Sequence, residues 1–152
     1  MSEKGIRHII CAVRGRPESR ETVTRAIDLA LEHHAGLTFL HIMDAEFVEH
    51  ATVGPLSVIY QELKNMGEFT LMILKDRAKR RGVQEVDYII REGNIIRHIR
   101  EFALETHAEM MVVGKPKDWP GRNIFRAHEF EDFMNQLEQD ANITIVRVDP
   151  DK

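Results

Sequence analysis

Short apolar runs alternate with segments of helical period along the chain. The first run, Arg7 to Val13, holds Ile9, Ile10, Cys11, Ala12 and Val13 almost without interruption. A strand buried on both faces reads this way, as parallel strands between helix layers do. Gly15, Arg16 and Pro17 break the run. The spacing then predicts a helix to about His34. Val23, Ala26, Ile27, Ala30 and Leu31 fall at i, i+3, i+4, i+7 and i+8 and make one apolar stripe. Pro17 and Glu18 suit its first turn and Gly36 its end, with His33 and His34 where positive charge is favoured.

Leu37 to Met43 reads as the second strand, and Asp44 to about Leu56 as a long connection. Loops of that length are usually functional or mobile. A long helix is expected to run to about Arg81, with Ile59, Leu63, Met66, Thr70, Ile73, Leu74 and Arg77 on one side. Gly67 costs it about 1 kcal/mol relative to Ala, which implies a weak or closely packed middle. Gly82 ends it. Val83 to Arg91 alternates as a third strand, and Glu92-Gly93-Asn94 leads to a helix with Ile95, Ile99, Phe102 and Ala103 facing inward. Met110 to Val113 is the fourth strand, ended by Gly114 and followed by a Pro- and Gly-punctuated segment, Lys115 to Asn123. The last helix carries Phe130, Phe133, Met134 and Leu137, and Asn142 to Val148 is the fifth strand, ahead of a tail from Asp149 to Lys152.

Strands and helices in strict alternation argue for an α/β fold, a parallel sheet covered by helices on both faces. No repeat, low-complexity block or linker interrupts the chain, so residues 1–152 are expected to form a single domain. Composition changes this picture little. The net charge of -4 and pI of about 6.1 argue against a nucleic-acid binder. No apolar run approaches the roughly 20 residues needed to cross a bilayer, and the polar start lacks a signal peptide's apolar stretch. Cys11, the one cysteine, lies in an apolar run and fits a small core residue in a reducing compartment, so the expected location is cytoplasmic.

Three stretches resemble the universal stress protein family. The first runs from Ile9 to Ser19, with Ala26-Ile27-Asp28-Leu29-Ala30 behind it. The family pattern there is an apolar strand, Asp-Gly-Ser and a Pro-Glu-Ser-like helix start. The second runs from His33 to Asp44, a strand ending in His41-Ile42-Met43-Asp44. The third joins Arg91-Glu92-Gly93-Asn94 to Ala108-Glu109-Met110-Met111-Val112-Val113-Gly114. The resemblance implies an open five-stranded parallel sheet of the adenine nucleotide alpha hydrolase-like kind, order 3-2-1-4-5. It also implies a homodimer through the edge strand Ile143 to Val148.

Ligands of open α/β sheets sit beyond the carboxyl ends of the strands, where the strand order reverses. With the implied order, Val13, Arg14, Gly15 and Arg16 meet Gly114, Lys115, Pro116 and Lys117 at that place. Family members that bind ATP use an acidic residue after strand one for the ribose. Here that position holds Arg14, which cannot accept hydrogen bonds from hydroxyls. They also use G-x2-G-x9-G-[ST] after strand four. Counted from Gly114, the remaining positions are Lys117, Ala127 and His128, so one glycine is kept and the motif is degenerate. Glycine lets amides approach phosphate, and a lysine there does not. Main-chain groups near Val13 and Ile42 resemble the adenine-contacting positions and do not depend on side-chain identity. Arg14, Arg16, Lys115, Lys117, Arg122 and Arg126 gather near one sheet edge. They read either as a pocket for a phosphate-type anion or as a solvated basic rim.

Other features weigh less. Trp119 reads as a stacking platform or partner anchor, or as a ring packed on a neighbouring helix. The eight histidines show no metal-ligand spacing, and His41 reads as a hydrogen-bonded core residue. Ser19 and Ser57 sit at helix starts, where capping is the better reading than nucleophilic attack. Strand five is β-branched and invites pairing with a second chain, or is blunted by Arg147. The expected function is a non-catalytic, dimeric stress-response module contacting protein partners, with no metal, resident cofactor, nucleic acid or membrane. The alternative is a sensor holding ATP, AMP or phosphate in a rebuilt cleft. A hydrolase is the weakest reading, resting on Asp44 and Glu46 in the long loop.

Overall fold

The apolar runs become five parallel strands: β1 (His8–Ala12), β2 (Gly36–Met43), β3 (Val86–Glu92), β4 (Met110–Gly114) and β5 (Thr144–Val148). They form one sheet in the order β3-β2-β1-β4-β5. The computed structural model describes residues 5–13, 20–43, 56–115 and 127–149. The helices among them are α1 (Arg20–His33), α2 (Leu56–Arg81), α3 (Ile95–Thr106) and α4 (Ala127–Ala141).

β1 has no solvent face, since Ile9, Ile10 and Cys11 are fully buried. Alternate side chains feed two cores. Ile9 and Cys11 join Val23, Ile27, Leu71 and Ala78 of α1 and α2. Ile10 joins Phe102, Met111, Phe133 and Leu137 on the face covered by α3 and α4. Each such side chain contributes about 1.5–3 kcal/mol by leaving water. Burial also pushes the Cys11 thiol up, so it stays protonated and inert.

The structure corrects three local expectations. α1 stops through His34, which takes the left-handed conformation at φ 54, while Gly36 opens β2 instead. Val83 lies outside β3. Its N–H donates to Ala78 O after Gly82 (φ 112), so it is the buried residue closing the end of α2. The third correction concerns which side of α2 faces the sheet. Leu71 and Ala78 are buried against β2 and β3, and of the residues expected on one side Leu74 packs on the same core whereas Met66 and Ile73 face solvent, with Leu63 at the margin. α2 is apolar on two sides, so periodicity alone does not select the buried one. Gly67 does lie at a close contact: a Cβ there would stand 3.2 Å from His41 Cδ2.

Two contacts fix the central strands. Glu109 Oε1 accepts the N–H groups of Arg7 and His8, both at 3.0 Å, and ties the start of β1 to the start of β4. At the other end, α1 packs so closely on β4 that a Cβ on Gly114 would stand 2.8 Å from the buried Thr22 Oγ1. A side chain at 114 would therefore force Thr22 to shift.

Gly114→Ala is expected to cost about 1–3 kcal/mol in urea unfolding, as overpacking does. Adding Thr22→Ala should recover most of that loss, and simple additivity of the two costs would show the hydroxyl is not the obstacle. Glu109 gives a pH prediction. Burial pushes its carboxyl up, but the amides of His8 and Arg7 outweigh this and hold it below the usual 4.5. The folded value is depressed, so the stabilisation is present above pH 4.5 and lost as pH falls through the lower folded value. Glu109→Gln keeps an acceptor and removes the titration. Its acid limb in stability against pH should be flatter than that of the parent, and parallel limbs would refute the assignment.

Candidate functional site

The strand order reverses between β1 and β4, which places the switch point beyond Ala12 and Gly114. Val13, Gly114 and Lys115 meet there, with Ile42 near the end of β2. Arg14, Gly15, Lys117 and Arg126 lie outside the described residues, as do Arg16, Arg122, Trp119, Asp44 and Glu46. His128 falls in the first turn of α4, and its side chain is also outside the description.

The described groups are already engaged within the fold. Val13 N–H donates to Leu40 O at 2.9 Å. Val13 C=O accepts from His41 Nδ1 at 3.0 Å, and because a carbonyl only accepts, that nitrogen must carry the proton. His41 is thus the hydrogen-bonded, partly buried residue the sequence suggested, with its ring against Gly67. Lys115 N–H donates to Val148 O at 2.8 Å, and its ammonium lies 3.2 Å from Asp149. An ion pair this exposed is worth about 1 kcal/mol or less, so it reduces the local positive field without neutralising it. Ile42 is half-buried and packs on the core beneath α3 and α4.

Neighbouring charges are paired too. Arg91 grips Glu105 through two hydrogen bonds of 2.7 and 3.3 Å, and its guanidinium lies 5.0 Å over the Phe102 ring. The hydrogen bond from Arg91 holds the Glu105 carboxyl below its usual range. Asn94 caps α3, accepting the Arg97 N–H at 2.9 Å and setting the helix start beside Gly93. Sequence reasoning missed Thr22, whose one signal is a hydroxyl at the edge of an apolar stripe; its approach to Gly114 exists only in three dimensions.

Among the described residues no three His, Cys, Asp or Glu side chains cluster as metal ligands would. A cleft of about 250 Å³ lies at the opposite, amino-terminal edge of the sheet, lined by Arg7, His34, Gly82, Gln84 and Glu85 among others. It is remote from the switch point. No helix of the described residues is long and apolar enough to cross a membrane.

Comparison with known proteins places this geometry. The model of the universal stress protein family matches residues 5–128. Universal stress protein UspA from Lactobacillus plantarum is similar in fold, at 16% identity and a TM-score of 0.74, over 96% of this chain and 99% of that one. A universal stress protein in complex with cAMP is 16% identical, with a TM-score of 0.64, over 97% of this chain and 100% of that one. The universal stress protein from Archaeoglobus fulgidus in complex with dAMP is also 16% identical, with a TM-score of 0.61, over 93% and 97%. No curated protein matches in sequence. With the parallel sheet, its strand order and a family match over most of its length, the chain belongs to the universal stress protein family.

Proposed function

We propose that residues 1–152 form one domain that acts in the cytoplasm as a non-catalytic, self-associating interaction module, its nucleotide cleft given over to structural use. One observation carries this reading: the described groups at the switch point are bonded or packed within the fold. Val13 uses both main-chain groups internally, Gly114 is kept for Thr22, and Lys115 leans on Asp149. None of these needs a phosphate to explain it. In this reading the basic residues expected there, Arg14, Arg16, Lys115, Lys117, Arg122 and Arg126, hold no ligand.

A second reading, an adenine-nucleotide sensor, has its own support. Two similar structures are complexes with cAMP and dAMP. Each of those ligands carries one phosphate, which asks less of a glycine-rich loop than a triphosphate does. Val13 C=O keeps a second lone pair for a donor beside His41.

The family-implied partner is a second copy paired along Ile143 to Val148. That arrangement requires Glu138 and Arg147 to leave Ile145. Ile145 N–H donates to Glu138 Oε2 at 3.4 Å, and its C=O accepts from Arg147 Nη1 at 3.0 Å.

Thermal unfolding with millimolar ATP, AMP, cAMP and inorganic phosphate, each against a salt-matched control, separates the readings. A ligand at a hundredfold excess over its Kd adds about 2.7 kcal/mol of stability. The module reading predicts no shift with any of them. A shift with adenine nucleotides alone would overturn it in favour of the sensor, and a shift with phosphate as well would point to the basic residues as the anion site.

A further inference from the structure

The edge of the sheet opposite β5 is β3. Leu37 N–H donates to Glu85 O at one end of the β2–β3 ladder and Gly93 N–H to Met43 O at the other, both at 2.9 Å. Every residue from Val86 to Glu92 is paired in register between those two bonds. Parallel pairing alternates, so Asp87, Ile89 and Arg91 turn their main chain to β2, and Tyr88 and Ile90 turn theirs outward. Those outward N–H and C=O groups have no hydrogen-bond partner among the described residues. At β5, by contrast, Glu138 and Arg147 bond the outward groups of Ile145. No proline interrupts β3, and a regular edge with bare main-chain groups is a template for an added strand.

The bare groups specify the kind of occupant. Donors and acceptors alternating along a sheet edge are matched by the main chain of an extended peptide, and a helix, whose own groups are paired internally, offers no such row. The side chains beside the edge specify its charge. Lys64 and Lys75 lie on the margin of α2 that borders β3: the Lys75 ammonium stands 5.9 Å from the centre of the Tyr88 ring and that of Lys64 4.0 Å from Glu92 Oε1. Arg81, on the other margin of the helix, reaches Asp28 of α1. Lys75 has no carboxylate within ion-pair distance among the described residues, and neither lysine bonds the main chain of β3 there. They flank the edge without closing it. On the far face of the sheet, Ile89 packs on the core beneath α3. The surroundings of an added strand are thus basic on one face and apolar on the other. A second copy of β3 matches them badly. A two-fold axis normal to the sheet would set both α2 helices on one face, lysine margin against lysine margin.

We propose that the β3 edge takes an extended, acidic segment of a partner protein as a sixth strand, with its carboxylates on the α2 side beside Lys75. The inference rests on reading the chain as an interaction module, names the partner's chemistry, and leaves self-association at β5 untouched.

A fluorescein-labelled peptide of alternating Val and Glu, seven residues long like β3, is the probe, with the Val and Lys counterpart as control. Fluorescence polarisation should show saturable binding of the Glu peptide and none of the Lys peptide. Lys75→Glu should weaken the Glu peptide by about threefold or more, as loss of an exposed ion pair does, and should give the Lys peptide measurable binding. Hydrogen exchange gives a readout that needs no variant. On binding, the amides of Tyr88 and Ile90 should exchange about tenfold or more slowly, while those of Ile89 and Arg91 keep their rates. No saturable binding up to millimolar Glu peptide, or binding that leaves Tyr88 and Ile90 unprotected, would overturn the proposal. Protection of the same two amides that grows with protein concentration in the absence of peptide would overturn it in favour of a second copy. The nucleotide titration bears on the module reading alone: a shift there, with the Glu peptide still bound, would remove that reading and keep this site.

Discussion

The backbone of β1 lies between two apolar layers, and this burial governs the rest of the molecule. An unpaired N–H or C=O there costs about 1–3 kcal/mol, so the polar groups of Ile9, Ile10 and Cys11 must find partners in flanking strands. β2 supplies them on one side and β4 on the other. Because successive strands are parallel, each needs a helical crossover, and those helices supply the apolar layers that bury β1. The chain builds from β1 outward in one direction and then in the other, and the reversal leaves a crevice at the carboxyl ends. The crevice is thus a by-product of satisfying a buried strand. Its existence does not by itself require a ligand.

That distinction bears on the surviving glycine. A glycine at the end of β4 fits a phosphate-binding loop, and it equally fits the close approach of Thr22. The second demand does not depend on the first. Packing against Thr22 is thus reason enough for Gly114, whatever the loop after it holds. The same holds at Val13, where the hydrogen bonds to Leu40 and His41 would remain in the absence of any adenine.

Much of this fold was legible as periodicity. Ile9 to Val13 and Met110 to Val113 read as buried strands because strands covered on both faces become continuous apolar runs, and their ends located Val13 and Gly114. Strand order did not follow from periodicity; it came through the resemblance. Periodicity is ambiguous in α2 for a physical reason. A helix with one apolar face reports its orientation, as α1 does through Val23, Ala26 and Ile27, whereas Leu71 and Phe69 are equally apolar and face opposite ways. Gly36 and His34 show a related limit. Left-handed φ is cheapest for glycine, but the hydrogen bonds from His34 and Ala35 to the end of α1 hold a histidine there. At the site, strand ends were readable, while contacts between distant residues such as Thr22 and Gly114 were not.

The two ends of the sheet treat exposure differently, and the difference has a cost logic. At β5, outward N–H and C=O groups can template pairing with an extended chain, and those of Ile145 are bonded to Glu138 and Arg147. The outer side of α2 has no bare backbone groups, since its hydrogen bonds run along the helix. The helix also touches the crevice: the His41 ring rests on Gly67 of α2 and donates to Val13 C=O. A ligand competing for that carbonyl would meet a ring braced against the helix, and a side chain at 67 would press on the same ring from the other side. One histidine thus joins the outward-facing helix to the switch point, through contacts that glycine at 67 makes sterically possible.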